Sequence, residues 1–195
     1  MITTTNDRNR YIGGSEANMI YMNYQSESFI KWWSEKLTEL PSKSFTNKSM
    51  EVGTILEHDV VDLYERIHNV KGERDKQKVK GIARANTDYI LEDKVSDVKV
   101  TKKAFEWFLT EKVPIHYKRQ LIHYMYVFGL NRASIIAYQT DDNLLNNPFI
   151  KLDRYKLYEI PVKITKKEIE LHKKKIEYLE FCKEMNVFPE VTNNG

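Results

Sequence analysis

Residues 88–100 read DYILEDKVSDVKV, and this stretch decides the fold that the sequence predicts. Residues 88–91 and 95–100 are rich in strand-forming residues on either side of a short charged turn, a pattern typical of a β-hairpin. Asp88 then begins one strand and Asp97 lies on its neighbour, with the two carboxylates roughly 5 Å apart on one face. Lys99 follows Asp97 by two positions and so projects from that same face.

Two carboxylates at this separation repel each other unless a positive charge lies between them. Mg²⁺ binds oxygen ligands and retains several waters, so Asp88 and Asp97 form a suitable pair for it. The ammonium of Lys99 can stabilise a hydroxide nucleophile or the charge that builds on a phosphate. The group therefore has the parts for metal-assisted hydrolysis of a phosphodiester. The alternative is an exposed hairpin whose charges are merely solvated.

Other polar residues on predicted helices can join this group. Glu57 lies on a strongly apolar helix and can complete a metal site, or it is a surface charge. Gln120 and Tyr124 are four residues apart and share one face of a later helix, where they line a cleft or form a simple hydrogen-bonded pair.

Hydrophobic periodicity and turn signals assign the remaining elements. The predicted helices cover residues 15–22 (with Ser15 as cap), 27–38, 52–68, 114–129 and 165–186, and the predicted strands cover 79–84, 88–91, 95–100, 132–139 and 155–162. This order predicts an α/β core in which helices flank a small mixed β-sheet, with extra N-terminal helices. Residues 1–195 are expected to form a single domain that is frayed at 1–7 and 190–195.

The composition agrees with a globular domain and excludes several classes of protein. Of the 195 residues, 41% are hydrophobic and the net charge is +3, which permits binding to nucleic acid without establishing it. We expect no membrane span and no secretory signal, because apolar runs of the required length are missing. The single cysteine, Cys182, rules out an intramolecular disulfide and favours a reducing cytoplasm. The five histidines lack zinc-site spacing and are expected to be structural, although His123 is close enough to Gln120 to reach the site.

Five pieces of the chain, in the right order, resemble the lambda-exonuclease and YqaJ-type viral recombinase family of PD-(D/E)xK nucleases. They are Arg8 with Ile12-Gly13-Gly14-Ser15-Glu16, residues 29–36 (FIKWWSEK), Gly53 with Leu56-Glu57, Asp88 with Asp97-Val98-Lys99, and Tyr117 with Gln120 and Tyr124. The resemblance spans about residues 8–140 and implies the PD-(D/E)xK nuclease core for this chain.

The resemblance also implies roles for individual residues. Asp88, Asp97, Glu57 and the carbonyl of Val98 would hold Mg²⁺, for which Mn²⁺ can substitute. Lys99 would polarise the attacking water, and Gln120 and Tyr124 would support the catalytic group or contact DNA. Arg8 and Ser15 would bind a terminal 5′-phosphate of DNA, and Arg10 is a competing candidate for the arginine. An arginine can make two parallel hydrogen bonds to a phosphate, and a serine at a helix start can offer its hydroxyl and backbone N–H.

The implied activity is a Mg²⁺-dependent exonuclease that acts 5′→3′ on the ends of linear duplex DNA in phage-type recombination. The implied partners are DNA, further copies of the chain in a ring-shaped homo-oligomer such as a trimer, and a single-strand annealing protein. The implied location is the cytoplasm of the host cell of a phage or prophage. Two alternatives remain open from the residues. One is an endonuclease of the restriction or structure-specific kind with the same core, and the other is a non-cleaving protein on a nuclease fold that binds DNA or inhibits another protein.

Overall fold

Six strands form one mixed β-sheet in the computed structural model, which describes residues 9–39 and 48–190. Helices cover both faces of this sheet. The elements in chain order are β1 (Ile12–Gly13), α1 (Glu27–Thr38), α2 (Lys48–His68), β2 (Glu73–Lys80), β3 (Ala83–Leu91), β4 (Lys94–Thr101), α3 (Ala104–Thr110), α4 (Ile115–Phe128), β5 (Arg132–Gln139), α5 (Asp142–Asn146), β6 (Leu157–Pro161) and α6 (Lys166–Glu184).

The sheet runs in the order β1-β3-β4-β5-β6, and β2 pairs with β3. The β1–β3 and β4–β5 pairs are parallel, whereas the β2–β3, β3–β4 and β5–β6 pairs are antiparallel. The parallel step from β4 to β5 requires a crossover, which α3 and α4 provide. The α/β fold with a small mixed sheet and extra N-terminal helices, which the sequence predicted, is therefore confirmed.

The predicted hairpin is the pair β3–β4. Tyr89 lies opposite Ser96, and Leu91 lies opposite Lys94. One step further in this register, Asp88 faces Asp97. At the closed end of the hairpin, Arg132 Nε donates to Asp93 Oδ1 over 2.6 Å, which ties the start of β5 to the turn.

Two hydrophobic clusters hold the sheet between its helices. The larger cluster joins α1, α4 and α6 to one face and includes Trp33, Leu121 and Ile176. The smaller cluster joins α2 and α5 to the other face. On β4, Val95 belongs to the first cluster and Val98 to the second, as expected of a strand that is covered on both faces. No helix of the described residues is long and apolar enough to cross a membrane.

Several expected elements differ from the structure. The strand predicted at 79–84 is wrong, because Gly81 adopts a positive φ of 57° in the turn between β2 and β3. The helix predicted at 15–22 is replaced by two 3₁₀ turns, Gly14–Glu16 and Met19–Tyr21. Ser15 therefore lies inside a turn and does not cap a helix.

Other differences concern lengths and two missed short helices, α3 and α5. The strand predicted at 155–162 is shorter, because residues Arg154–Lys156 form a 3₁₀ turn before β6. Helix α3 was not predicted; it has only seven residues, of which Ala104 and Trp107 are buried. Of the ends expected to fray, residues 1–7 and 191–195 lie outside the described residues. Glu190, which was also expected to fray, is held by a hydrogen bond of 2.9 Å from its backbone N–H to the Tyr178 hydroxyl.

A chain of buried hydrogen bonds links α6, α4 and β3. Tyr21 Oη lies 2.8 Å from His172 Nδ1, His172 Nε2 lies 3.1 Å from His123 Nδ1, and His123 Nε2 lies 3.1 Å from the Arg84 carbonyl. Because a carbonyl only accepts hydrogen bonds, His123 Nε2 carries the proton. His172 Nε2 must then donate to His123 Nδ1, and the Tyr21 hydroxyl must donate to His172 Nδ1. His123 is thus a structural residue that hydrogen-bonds α4 to the backbone of β3.

We expect this chain to make stability depend on pH between about 6.5 and 4. Burial lowers the pKa of His123 to about 4 and that of His172 to about 2. The unfolded chain binds protons on these histidines below about pH 6.5 while the folded chain does not, so the free energy of unfolding should fall as the pH falls. The limiting slope is about 1.4 kcal/mol per pH unit for each histidine.

Urea denaturation at pH 7, 6 and 5 measures this slope. A His172→Phe variant removes one titrating group and should show a shallower dependence. His68→Asn, on the exposed end of α2, is the matched control and should keep the wild-type slope. Equal slopes in all three proteins would show that the buried histidines do not govern the pH dependence.

Candidate active site

The hairpin brings Asp88, Asp97 and Lys99 into one group at the middle of the sheet. Asp88 Oδ2 accepts a hydrogen bond of 2.7 Å from the backbone N–H of Val98, so the carboxylate is fixed against β4. Asp97 is 1% exposed, and its Oδ2 lies 2.5 Å from Lys99 Nζ. The residues that the sequence selected on these two strands therefore lie in direct contact.

The charges of this group are strongly coupled. Burial, and then the repulsion of the Asp97 carboxylate, raise the pKa of Asp88 well above its ordinary value. Burial opposes the charged form of Lys99, but the carboxylates of Asp97 and Asp88 outweigh it and raise the pKa of Lys99 to about 12. The two carboxylates therefore favour the charged form of Lys99.

Helix α4 supplies the second layer of contacts. Gln120 Nε2 donates both to Asp97 Oδ1, over 2.9 Å, and to Tyr124 Oη, over 2.7 Å. The Lys99 ammonium also lies 5.1 Å from the centre of the Tyr117 ring, within the range of a cation–π contact. The two amide hydrogens of Gln120 thus hold the orientation of Asp97 and link it to Tyr124.

Glu57 approaches the group from α2, which packs against β4. It is half-buried, and burial raises its pKa, with a smaller contribution from the charge of Asp97. Its own charge in turn raises the pKa of Asp88. Among the described residues, however, no group of three or more His, Cys, Asp or Glu side chains is arranged to hold a metal ion. Glu57 is thus an electrostatic neighbour of the two aspartates in this structure and does not form a three-carboxylate cluster with them.

The donor set fits a hard divalent cation that keeps most of its waters. Asp97 Oδ2 is buried and, apart from its contact with Lys99, accepts no hydrogen bond of regular geometry from the described residues. Asp88 carries a charge that its surroundings disfavour. Mg²⁺ is commonly bound by one or two carboxylates together with water and substrate phosphate, so two aspartates are enough to anchor it.

A buried ion pair holds the loop that contains Gly13, Gly14 and Ser15. Lys36 of α1 is fully buried, and its ammonium donates to both carboxylate oxygens of Glu16, over 3.0 and 2.9 Å, and to the Tyr11 carbonyl over 2.9 Å. The Gly13 N–H also donates to Glu16 over 2.9 Å. The loop is therefore fixed from beneath by charged hydrogen bonds, which are stronger than neutral ones.

Two further contacts complete this support. Trp32 Nε1 donates to Glu16 Oε1 over 3.2 Å, and Trp32 is buried, so its ring is not free to stack on a base. A Cβ atom on Gly14 would come within 2.2 Å of the Tyr124 ring, so only glycine allows the loop to reach α4. The paired glycine motif thus places the loop against the residue that Gln120 contacts.

The loop borders a pocket of about 340 Å³ that also reaches Tyr124, the residue that Gln120 contacts. Its lining residues are Gly13, Gly14, Ser15, Glu16, Met50, Arg84, Asn86 and Tyr124. Ser15 is exposed there, whereas Arg84 is buried, with its guanidinium carbon 5.5 Å from the centre of the Tyr11 ring. The lining contains one cation, Arg84, and one acid, Glu16, whose carboxylate is already paired with Lys36.

The predicted 5′-phosphate residues differ in their placement. Ser15 lines the pocket, and Arg10 is exposed, with its guanidinium carbon 5.8 Å from the Tyr11 ring, but Arg10 is not among the lining residues. Arg8 lies outside the described residues. The cation that the structure places in the pocket is Arg84, which the sequence did not single out.

Sequence reasoning also missed other residues of the site. Arg84 and Asn86 precede Asp88 by four and two positions on β3, and this spacing was the available signal. Asp75 on β2 has a positive φ of 53°, and its charge helps to raise the pKa of Glu57. The Glu16–Lys36 pair joins residues twenty positions apart, and no local pattern predicts that contact.

Comparisons with known proteins agree with this geometry. The family described as YqaJ-like viral recombinase domain matches residues 5–131. No curated protein matches the chain significantly. Among solved structures, the alkaline exonuclease LHK-Exo from Laribacter hongkongensis superposes with a TM-score of 0.73 at 15% identity, covering 91% of this chain and 90% of that one.

Two further structures show the same fold. LHK-Exo in complex with dAMP gives a TM-score of 0.75 at 15% identity and covers 93% of this chain and 91% of its own. A phage related exonuclease from Haemophilus somnus gives 0.67 at 15% identity and covers 90% of this chain and 94% of its own. These likenesses establish the fold of the chain.

The buried ion pair under the loop gives a stability prediction. Lys36→Met should lower the free energy of unfolding by about 3–5 kcal/mol, because it leaves the Glu16 carboxylate buried without its cation. Lys31→Met, on the exposed side of the same helix, should have little effect. Urea denaturation followed by tryptophan fluorescence measures both.

The double variant Glu16→Gln/Lys36→Met measures the interaction free energy between the two residues. It should be more stable than the sum of its single variants predicts, since neither partner is then left charged and alone. Additive losses would show that the pair contributes packing and not charge compensation.

Proposed function

Since the chain belongs to the family of YqaJ-like viral recombinase domains, we propose that it is a Mg²⁺-dependent deoxyribonuclease that degrades linear duplex DNA from its ends in the 5′→3′ direction. The observation that carries this proposal is the direct contact of Asp97 with Lys99 and Gln120, opposite Asp88. The process it would serve is phage-type recombination.

Asp88, Asp97 and the carbonyl of Val98 are the groups that would hold Mg²⁺ or Mn²⁺, with Glu57 contributing negative charge from α2. When bound, the cation would offset the repulsion between the aspartates and withdraw charge from the phosphate oxygens of the substrate. This chemistry requires hard oxygen donors, and the site offers carboxylates and a backbone carbonyl.

The chain's own residues would perform the remaining tasks. Lys99, positively charged at neutral pH, would stabilise the negative charge that grows on the phosphate and orient the water that attacks it. Gln120 would keep Asp97 in position, because its amide donates to both Asp97 and Tyr124. In-line attack on a phosphodiester needs such positioning and no covalent intermediate.

The pocket would give the enzyme its preference for ends. Arg84 and Ser15 line it, and a terminal phosphate carries more charge and fewer substituents than a phosphate inside a strand. Arg8 and Arg10 lie on the segment that leads into β1 and remain candidates for the same phosphate. We also propose, from the family resemblance, a ring-shaped homo-oligomer and a single-strand annealing protein as partners.

Cleavage of two DNA forms tests the activity. The protein should degrade 5′-phosphorylated linear duplex DNA in Mg²⁺ and leave a covalently closed circle intact. Lys99→Ala should lower the rate by about 10²-fold or more, because one fixed charge at the reacting phosphate is lost. Lys102→Ala, an exposed lysine at the end of the same strand, should keep the wild-type rate.

The other outcomes are equally informative. Cleavage of the circle would identify an endonuclease with the same core. No cleavage of either form, in Mg²⁺ or in Mn²⁺, would contradict the enzyme proposal and favour a DNA-binding or inhibitory protein.

Thermal unfolding tests the metal site independently of activity. At about 100 times its dissociation constant, Mg²⁺ should stabilise the protein by about 2.7 kcal/mol relative to EDTA. Asp88→Asn should abolish this stabilisation, yet raise the melting temperature in EDTA at pH 8, because the repulsion from Asp97 is removed. Asp59→Asn, an exposed acid on α2, should leave both values unchanged. A retained Mg²⁺ effect in Asp88→Asn would place the cation elsewhere.

A further inference from the structure

Two positive charges lie over one tyrosine ring on the surface between α4, α6 and the loop before α1. The guanidinium carbon of Arg119 is 4.5 Å from the centre of the Tyr21 ring. The ammonium of Lys175 is 5.9 Å from the same ring and 5.5 Å from the ring of Tyr24. Both side chains are half-buried. Two half-buried cations thus share contact with one aromatic ring.

Neither cation has an acidic partner within ion-pair distance in the part of the chain that the structure describes. The hydrogen bond of Arg119 is to a neutral group, since its Nη1 donates to Asn18 Oδ1 over 2.7 Å. Glu168 is near enough to influence Tyr21, but its carboxylate is already engaged by Lys118 at 2.7 Å and by the Thr165 N–H at 2.8 Å. The neighbouring acid therefore leaves the charges of Arg119 and Lys175 without compensation.

Such a pair is unfavourable for the isolated protein. Burial and the charge of Arg119 both lower the pKa of Lys175. A phosphate between the two would remove the repulsion and gain two charged hydrogen bonds. The side-chain amide oxygen of Asn18 already accepts from one side of the guanidinium, so the arginine is held in place before any ligand arrives.

The position of the pair relates it to the proposed active site. Arg119 directly precedes Gln120, whose amide contacts Asp97, and Asn18 follows Ser15 by three residues. We propose that Arg119 and Lys175 bind a phosphate of the DNA backbone, at a point on the substrate separate from the terminal phosphate in the pocket. This inference rests on the proposed function, and it assigns the α4–α6 surface as part of the DNA path.

A backbone phosphate fits better than a small free anion for a structural reason. The pair lies on a half-exposed surface beside the aromatic rings of Tyr21 and Tyr24, and the pocket of Ser15 and Arg84 is a separate cavity whose lining does not include it. An extended polyanion can reach both places at once, whereas a single phosphate ion can occupy only one of them.

Equilibrium binding of a fluorescent duplex, in EDTA to prevent cleavage, tests the assignment. The duplex carries 5′-hydroxyl ends, so that a terminal phosphate makes no contribution. Arg119→Gln/Lys175→Gln should weaken binding about tenfold at low salt and reduce the slope of log K against log salt concentration by about 1, the effect of losing one phosphate contact. The control Lys167→Gln/Lys174→Gln removes the same charge from exposed positions of α6 and should change the slope less.

The possible outcomes distinguish failure of the proposed function from failure of this inference. If the wild-type protein does not bind duplex DNA at all, the proposed function fails and this inference falls with it. If the wild type binds and the test and control variants weaken equally, the proposed function stands and the Arg119–Lys175 site is refuted. If inorganic phosphate raises the melting temperature of the wild type but not of the test variant, while the DNA slope is unchanged, the pair binds free phosphate and the backbone assignment is overturned. Urea denaturation of the test variant, expected to show a cooperative transition at least as stable as that of the wild type, shows that it is folded.

Discussion

The repulsion between the carboxylates of Asp88 and Asp97 is the constraint around which the site is built. The register of β3 and β4 forces the two acids together, and the packing of helices on both faces of the sheet keeps water away from them. Burial of a charge without compensation costs several kcal/mol. The protein offsets this cost with Lys99 and with hydrogen bonds from Val98 and Gln120, and under the proposed function the remaining excess of negative charge would attract a hard cation.

Helix α4 connects nearly every part of this arrangement, and its residues do so in sequence. Arg119 contacts Asn18, Gln120 contacts Asp97, His123 contacts the Arg84 carbonyl, and Tyr124 packs against Gly14. Successive positions of a helix point about 100° apart, so one buried helix can reach the loop, the sheet and the neighbouring helix α6 at once. A shift of α4 would therefore disturb the acidic group and the pocket together. The hydrogen bonds and packing contacts on the core-facing side of α4 oppose such a shift.

The sequence predicted the parts of the structure that depend on local patterns. Helix α1 and strand β5 have the bounds that periodicity gave, and the Asp88–Asp97 hairpin follows from alternation around a charged turn. What it could not predict depends on distant contacts. The Glu16–Lys36 pair needs α1 to fold against the loop, and the burial of Arg84 needs Tyr11 and the loop above it. The turns at residues 14–21 replace a helix because Glu16 bonds back to Gly13 and anchors the chain from within.

The distribution of charge is consistent with the proposed polyanionic substrate, although the net charge is only +3. The acids that would bind the metal are concentrated at one buried point, and they repel a phosphate as long as no cation lies between them. The cations stand around that point: Lys99 beside it, Arg84 in the pocket, and Arg119 with Lys175 on the α4–α6 surface. Affinity for DNA and catalysis would then rely on different groups. Under the proposed function, the flanking cations would attract the backbone with or without metal, whereas Asp88 and Asp97 would accept the phosphate to be cleaved only when a divalent cation offsets their charge.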